Sequence, residues 1–252
     1  MASGVITFYF RGDTRELLHR QHQEQVSFAY NLARRASIKD IIEALGVVHT
    51  EVGAIVDDDG QWSFDRIPQG GECLKIEPLS PETLPTQATI LRPVPLPRLS
   101  FMVDNNVGKL ARLMRMAGFD AVSVPTGGLQ EIGLAARREQ RVLLSRNREL
   151  LRCRVVSHGR LIRHHDPEQQ LAEVIELYDL FTELQPFSRC LLCNDLLQEV
   201  AKSEIIDHLE PLTRKYYDRF RQCPGCGRVY WKGSHHQRMG EVLKALEREK
   251  SL

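Results

Sequence analysis

Apolar and polar positions alternate near the start of the chain. "VITFYF" (5–10) and "QVSFAY" (25–30) each have the period of two that a half-buried strand requires. Ser37 then precedes "IKDIIEALG", whose apolar residues fall at helical spacing and which Gly46 ends. "VGAIV" (52–56) reads as a strand, "DDDG" as a turn, and "GGECLKIEPL" as a turn followed by another strand. The expected order is strand, strand, helix, strand, strand. Residues 80–98 carry five prolines, which block helix and sheet ladders, so an extended linker is expected there.

After the linker the pattern changes. "LSFMV" (99–103) is a continuous apolar run of the kind buried inside a parallel sheet. It ends in Asp104, with Asn105 or Asn106 placed to cap the helix that follows. Val107, Leu110, Leu113, Met114 and Ala117 form the apolar face of that helix, and Lys109, Arg112 and Arg115 form a basic stripe. Gly118 stops it. "AVSV" (121–124) is the next strand, "LQEIGLAARREQ" a second helix and "RVLLS" (141–145) a third strand. "NREL" starts a helical turn, "RVVSH" (154–158) reads as a fourth strand, and residues 166–181 form a helix with Pro167 in its first turn. This alternation argues for a parallel α/β sandwich.

Charge and cysteine content divide the chain further. Residues 1–83 hold 8 Lys and Arg against 13 Asp and Glu, while the remainder holds 26 against 20, so an acidic front meets a basic rear. No apolar run reaches the roughly 18–20 residues of a membrane span, and no basic leader precedes an apolar core, so a cytoplasmic protein without membrane association is expected. Cys190 and Cys193 form one C-x-x-C pair and Cys223 and Cys226 another. In a reducing compartment two such pairs point to tetrahedral zinc, held by four thiolates that leave no open position for water. Cys73 and Cys153 stand apart and read as buried small apolar residues. "TRKYYDRFRQ" and "GRVYWKGSHHQRM" surround the second pair with basic and aromatic residues suited to phosphates and bases, or to packing a ribbon on its neighbour.

Two resemblances follow from these motifs. Residues 4–79 resemble a β-grasp, ubiquitin-like domain, in element order and in the closing "GGECLKIEPL". Gly70 and Gly71 lie inside the chain and read as a turn, so an interaction module for a protein partner is implied rather than a sulfur carrier. "FMVDNNVGKLARLMRMAGFD", "RVLLSRNRELL", "CLLC", "CPGC" and "GRVYWKGSHHQRM" resemble the Mut-seven C-terminal RNase domain. That family implies a PIN-like three-layer α/β/α nuclease fold with an appended zinc ribbon. The division implied is 1–83 for the β-grasp domain, 84–98 for the linker, 99–185 for the PIN-like domain, 186–240 for the ribbon and 241–252 for a helical tail.

The same resemblance implies chemistry. Carboxylates at one edge of the sheet would hold Mg²⁺ or Mn²⁺ and position a water for attack on an RNA phosphodiester. Asp104 fits the first position and Glu131 the helical one. The family's third acid follows the third strand, where this chain has Ser145, Arg146 and Asn147. An amide oxygen carries no charge, so a weakened nuclease and a non-cleaving RNA-binding module both remain open. Lys109, Arg112, Arg115, Arg146, Lys232 and His235 are the implied RNA contacts. Each candidate also has a plainer reading: Asp104 and Asn147 as helix caps, Glu131 and the basic stripe as solvated surface, His235 as a surface residue.

Overall fold

A computed structural model describes residues 4–233 and Gly240. His235 and the tail expected at 241–252 lie outside the described residues. The chain divides into two compact units, residues 1–106 with 124–163, and residues 107–123 with 164–252.

The first unit opens with a mixed five-stranded sheet. Strands β1 (Val5–Phe10), β2 (Phe28–Asn31), β3 (Val52–Asp57), β4 (Gly60–Gln61) and β5 (Cys73–Pro78) lie in the order β2-β1-β5-β3-β4. β1 and β5 run parallel, in the register Phe8 to Leu74, and the other neighbours are antiparallel. This is the β-grasp arrangement. Helices α1 (Gly12–Leu17) and α2 (Arg20–Gln23) separate β1 from β2. The second strand therefore starts at Phe28 rather than Gln25. Its apolar Phe28 packs 5.8 Å from Phe8, ring to ring, whereas Val26 is solvent-exposed. Helix α3 (Ile38–Ala44) begins at Ser37, whose hydroxyl accepts from the Asp40 N–H at 3.2 Å, and it buries Ile38, Ile41 and Ile42.

The proline-rich segment is irregular but not loose. Leu91, Arg92 and Leu96 are buried. Arg92 donates to the carbonyls of Val52, His49, Thr50 and Ser157 at 2.8, 3.2, 3.1 and 3.0 Å. One guanidinium thus ties the β-grasp sheet to residues more than sixty positions further on.

Three strands complete the unit: β6 (Phe101–Val103), then β8 (Val142–Ser145) and β9 (Gly159–Leu161), numbered to leave β7 for Ala121–Ser123 of the second unit. β6 pairs with β8 and β8 with β9, all parallel, and every residue of the three is buried. The fourth strand of the sequence reading is displaced from 154–158 to Gly159–Leu161, because the Val156 N–H turns back to the Cys153 carbonyl. Helix α5 (Leu129–Arg138) packs against β8 and against α6 (Arg148–Arg152).

The β-grasp domain meets β9 through buried charge. Glu51 is 1% exposed and Arg160 4%. Glu51 Oε2 accepts from Arg160 Nη1 at 2.6 Å, and its Oε1 accepts from the Leu161 N–H at 2.7 Å. Asp13 lies 3.4 Å from Arg160 Nη2 and 3.2 Å from Arg163. His49 adds a bond to the Val156 carbonyl at 2.8 Å.

The second unit holds helix α4 (Gly108–Ala117), β7 and helix α7 (Pro167–Leu177), with α4 packed on both. Asp166 caps α7, accepting from the N–H groups of Glu168 and Gln169. The helix ends at Leu177, four residues short of the expected 181, with a 3₁₀ turn over Leu180–Glu183 beyond it. Gly118 closes α4 at φ 101°, and a Cβ there would meet the Gln185 carbonyl oxygen, so only glycine fits. A small antiparallel sheet follows: β10 (Gln198–Val200), β11 (Phe220–Gln222) and β12 (Val229–Trp231), in that order. α8 (Lys202–Ile205) and α9 (Pro211–Tyr216) fall between β10 and β11. Among the described residues, the core of this sheet is Ile205, Leu209 and Phe220, with Val200, Tyr217 and Val229 at the margin.

Candidate functional site

The four cysteines converge. Their sulfur atoms all lie within 4.8 Å of one another, with Cys190 and Cys226 at 3.6 Å and Cys193 and Cys223 at 3.3 Å. Tetrahedral zinc with Zn–S bonds of about 2.3 Å calls for sulfurs roughly 3.8 Å apart, so the donor set fits that ion. The two pairs share one backbone design. The Cys190 N–H donates to the Asp195 carbonyl and the Asn194 N–H to the Cys190 carbonyl. The Cys223 N–H donates to the Arg228 carbonyl and the Gly227 N–H to the Cys223 carbonyl. Asn194 and Gly227, each four residues past the leading cysteine, take φ of 77° and 72°. This left-handed step closes each loop around its thiolates.

The first loop is anchored on the α4 end. Arg115 is 7% exposed and so leaves the basic stripe that the sequence suggested. Its Nε donates to the Ala121 carbonyl at 2.6 Å and its Nη1 to the carbonyls of Leu191 and Leu192 at 3.2 and 2.7 Å. Burial works against its positive charge, and the Cys190 and Cys193 thiolates work to keep it. An RNA phosphate therefore has no access to the position that was expected to hold it. Lys109 and Arg112, on the same helix, are exposed. Asn194 adds two further ties, its amide donating to Asp120 at 2.8 Å and its oxygen accepting from the Ala121 N–H at 3.1 Å. The Tyr230 hydroxyl sits 3.1 Å from Cys190 Sγ and accepts from the Leu191 N–H. For Cys190, burial pushes the thiol pKa up, but backbone N–H groups and the Tyr230 hydroxyl outweigh it and bring the value to about 6.

The carboxylate site lies in the first unit. Asp104 follows β6 and Ser145 ends β8, so both stand at the C-terminal ends of adjacent parallel strands, where open α/β sheets place their sites. Asp104 is 9% exposed, and the fully buried Ser145 donates its hydroxyl to Asp104 Oδ2 at 2.5 Å. The same hydroxyl accepts from the Asn147 N–H at 2.9 Å. Asn106 does not cap α4. Its Nδ2 lies 3.4 Å from Ser145 Oγ and its Oδ1 accepts from the Arg146 N–H at 3.2 Å.

The other two expected metal ligands are engaged by neighbours close along the chain. Asn147 Oδ1 accepts from the N–H groups of Glu149 and Leu150 at 3.0 and 3.3 Å and so caps α6. Glu131, exposed at the third position of α5, reaches back to the Gly128 N–H at 2.8 Å. Among the described residues, the cysteines form the one set of three or more His, Cys, Asp or Glu ligands close enough to hold an ion. Asp104, Glu131 and Asn147 together offer two carboxylates and one amide. Asn106 was expected as a helix cap and Ser145 only as a residue after the third strand; the contacts these two and Tyr230 make span 39–41 residues and carry no local signal. Cys73 is exposed and Cys153 half-buried, so neither is the buried apolar residue expected.

A β-grasp sheet, a parallel α/β sheet and a four-cysteine site in an antiparallel ribbon define a ubiquitin-like module joined to a nuclease-type domain. Residues 99–243 match the model of the Mut7-C RNAse domain and residues 3–83 that of the Mut7-C ubiquitin domain, so the chain belongs to the Mut7-C RNAse domain family. No curated protein and no solved structure matches it. Among the described residues, no helix is long and apolar enough to cross a membrane.

Proposed function

We propose that this protein binds RNA on a PIN-like nuclease scaffold whose phosphodiester cleavage is weak or lost. Membership of an RNAse domain family supports the RNA ligand. The carrying observation for the weakened chemistry is Asn147: it stands where the family pattern places an acid, and its oxygen is spent on the N-terminus of α6. One neutral ligand in place of a carboxylate lowers cation affinity and weakens control of an attacking water. Asp104 and Glu131 would remain as the anionic pair of any residual site, with Arg146 beside it. Zinc at the four cysteines would be structural, adding folding energy to a ribbon with a small core. A reducing, cytoplasmic location agrees with six cysteines of which none is in a disulfide. The β-grasp domain would recruit any protein partner through faces other than the one that Glu51 and Arg92 commit to this chain.

The test is a cleavage assay on labelled single-stranded RNA with Mn²⁺, run beside a binding measurement. Tight, salt-sensitive binding with negligible cleavage is expected, and cleavage appearing in Asn147→Asp would identify the missing acid as the defect. Robust cleavage by the unaltered chain, abolished in Asp104→Ala, would refute the weakened site; absence of RNA binding would refute the function.

A further inference from the structure

The second unit carries a groove of about 1450 Å³ between α4, the first cysteine loop and the ribbon. Its walls hold six Arg and Lys against two acids, and of those acids Asp218 is already paired with Lys202 at 2.8 Å. Six aromatic side chains line the same space. Trp231, on β12, is 38% exposed and Tyr216, at the end of α9, 64%. Trp231 is backed by Tyr217 and Phe220, each with ring centroid 6.3 Å away, so the indole is held from behind while part of its surface stays open. Arg112, Arg219, Arg228 and Lys232 are exposed around it.

We infer that this groove is a binding site for single-stranded RNA, in which bases stack on Trp231 and Tyr216 while Arg112, Arg219, Arg228 and Lys232 take the backbone phosphates. The inference rests on the RNA-binding reading above and assigns its surface and strand class. Charge complementarity selects a polyanion. Exposed rings select one whose bases are free to leave their own stack, because a duplex turns its base faces towards each other and away from side chains. Stacking and phosphate contacts of this kind tolerate any sequence, so little base preference follows.

The test uses the full-length, zinc-loaded protein and fluorescence anisotropy with a labelled U12 single strand and a blunt 12-base-pair RNA duplex. The unaltered protein should prefer the single strand. Trp231→Ala and Tyr216→Ala should each weaken binding about 5- to 100-fold, and Trp231→Phe should keep most of the affinity. Arg228→Ser and Lys232→Ser should each reduce the slope of log K against log salt by roughly 0.7. Zinc content and the far-ultraviolet spectrum check that the ribbon remains folded. Should the alanine variants lose zinc, the Trp231→Phe and serine variants decide alone. If the unaltered protein binds RNA and these substitutions change nothing, the groove assignment is wrong and the surface is free for another partner, such as a protein. Equal affinity for the duplex overturns the strand class. If the unaltered protein binds no RNA, the functional reading itself falls, and with it this one.

Discussion

Replacing Glu51 with alanine removes both acceptors of a carboxylate that is 1% exposed, next to an arginine that is 4% exposed. Two losses follow. Arg160 Nη1 loses a charge-assisted bond of 2.6 Å, and the Leu161 N–H on β9 loses its acceptor at 2.7 Å. Asp13, the acid at 3.4 Å, is 42% exposed and screened by water, so it compensates little. Breaking a buried pair from one side costs about 3–5 kcal/mol, a large part of the roughly 5–15 kcal/mol that stabilises an ordinary domain. With a urea m-value near 2 kcal/mol/M, the midpoint should fall by about 2 M. Glu51→Gln keeps an acceptor for Leu161 and should lose less. Combining Glu51→Leu with Arg160→Met should recover most of the loss, because the uncompensated charge is then gone. Urea titrations followed by fluorescence and by circular dichroism would measure all three. A loss below about 1 kcal/mol in Glu51→Ala, or a double variant no better than the single one, would refute the claim that this pair joins the β-grasp domain to β9.

Other outcomes are equally open to measurement. His158 has its pKa lowered to about 4 by burial and by the nearby Arg92. The unfolded chain takes up this proton below about pH 6.5 and the folded chain only near pH 4, so stability should fall between those values, by up to about 3 kcal/mol. His158→Gln should flatten that part of the pH profile in urea titrations at pH 7 and 4.5. Elemental analysis should find one zinc per chain, and Cys223→Ser should release it and unfold the ribbon, seen as loss of the Trp231 fluorescence environment. Gly118→Ala forces a Cβ onto the Gln185 carbonyl at a positive φ, and should lower the melting temperature by several degrees through about 2 kcal/mol or more of strain.

Local signals in the sequence translated directly into structure. Ser37 before a helical repeat, the buried run at Phe101–Val103 and the paired cysteines all work through neighbours close along the chain. Residues whose partners lie far away did not. Arg115 looked like one more cation on a helix face, but its acceptors are 76 and 77 positions later. Arg92 sat in a stretch that composition marked as an extended linker, while its guanidinium reaches three carbonyls of the β-grasp domain, those of His49, Thr50 and Val52. Asn147 was legible both ways, as a ligand or as a cap, and only the two N–H groups it accepts from separate the two. The strand boundary at 25–30 slipped because alternation alone does not register that α1 and α2 intervene.

The Glu51–Arg160 pair also sets an order of events during synthesis. The two residues are 109 positions apart. At about 5–20 residues per second, Glu51 is synthesised roughly 5–20 s before Arg160. The β-grasp sheet, complete by Pro78, is therefore made with an anionic, unsealed face and waits for β9 to close it. In a nascent chain stalled or truncated in that interval Glu51 stays hydrated on an open face, whereas the finished fold buries it beside Arg160.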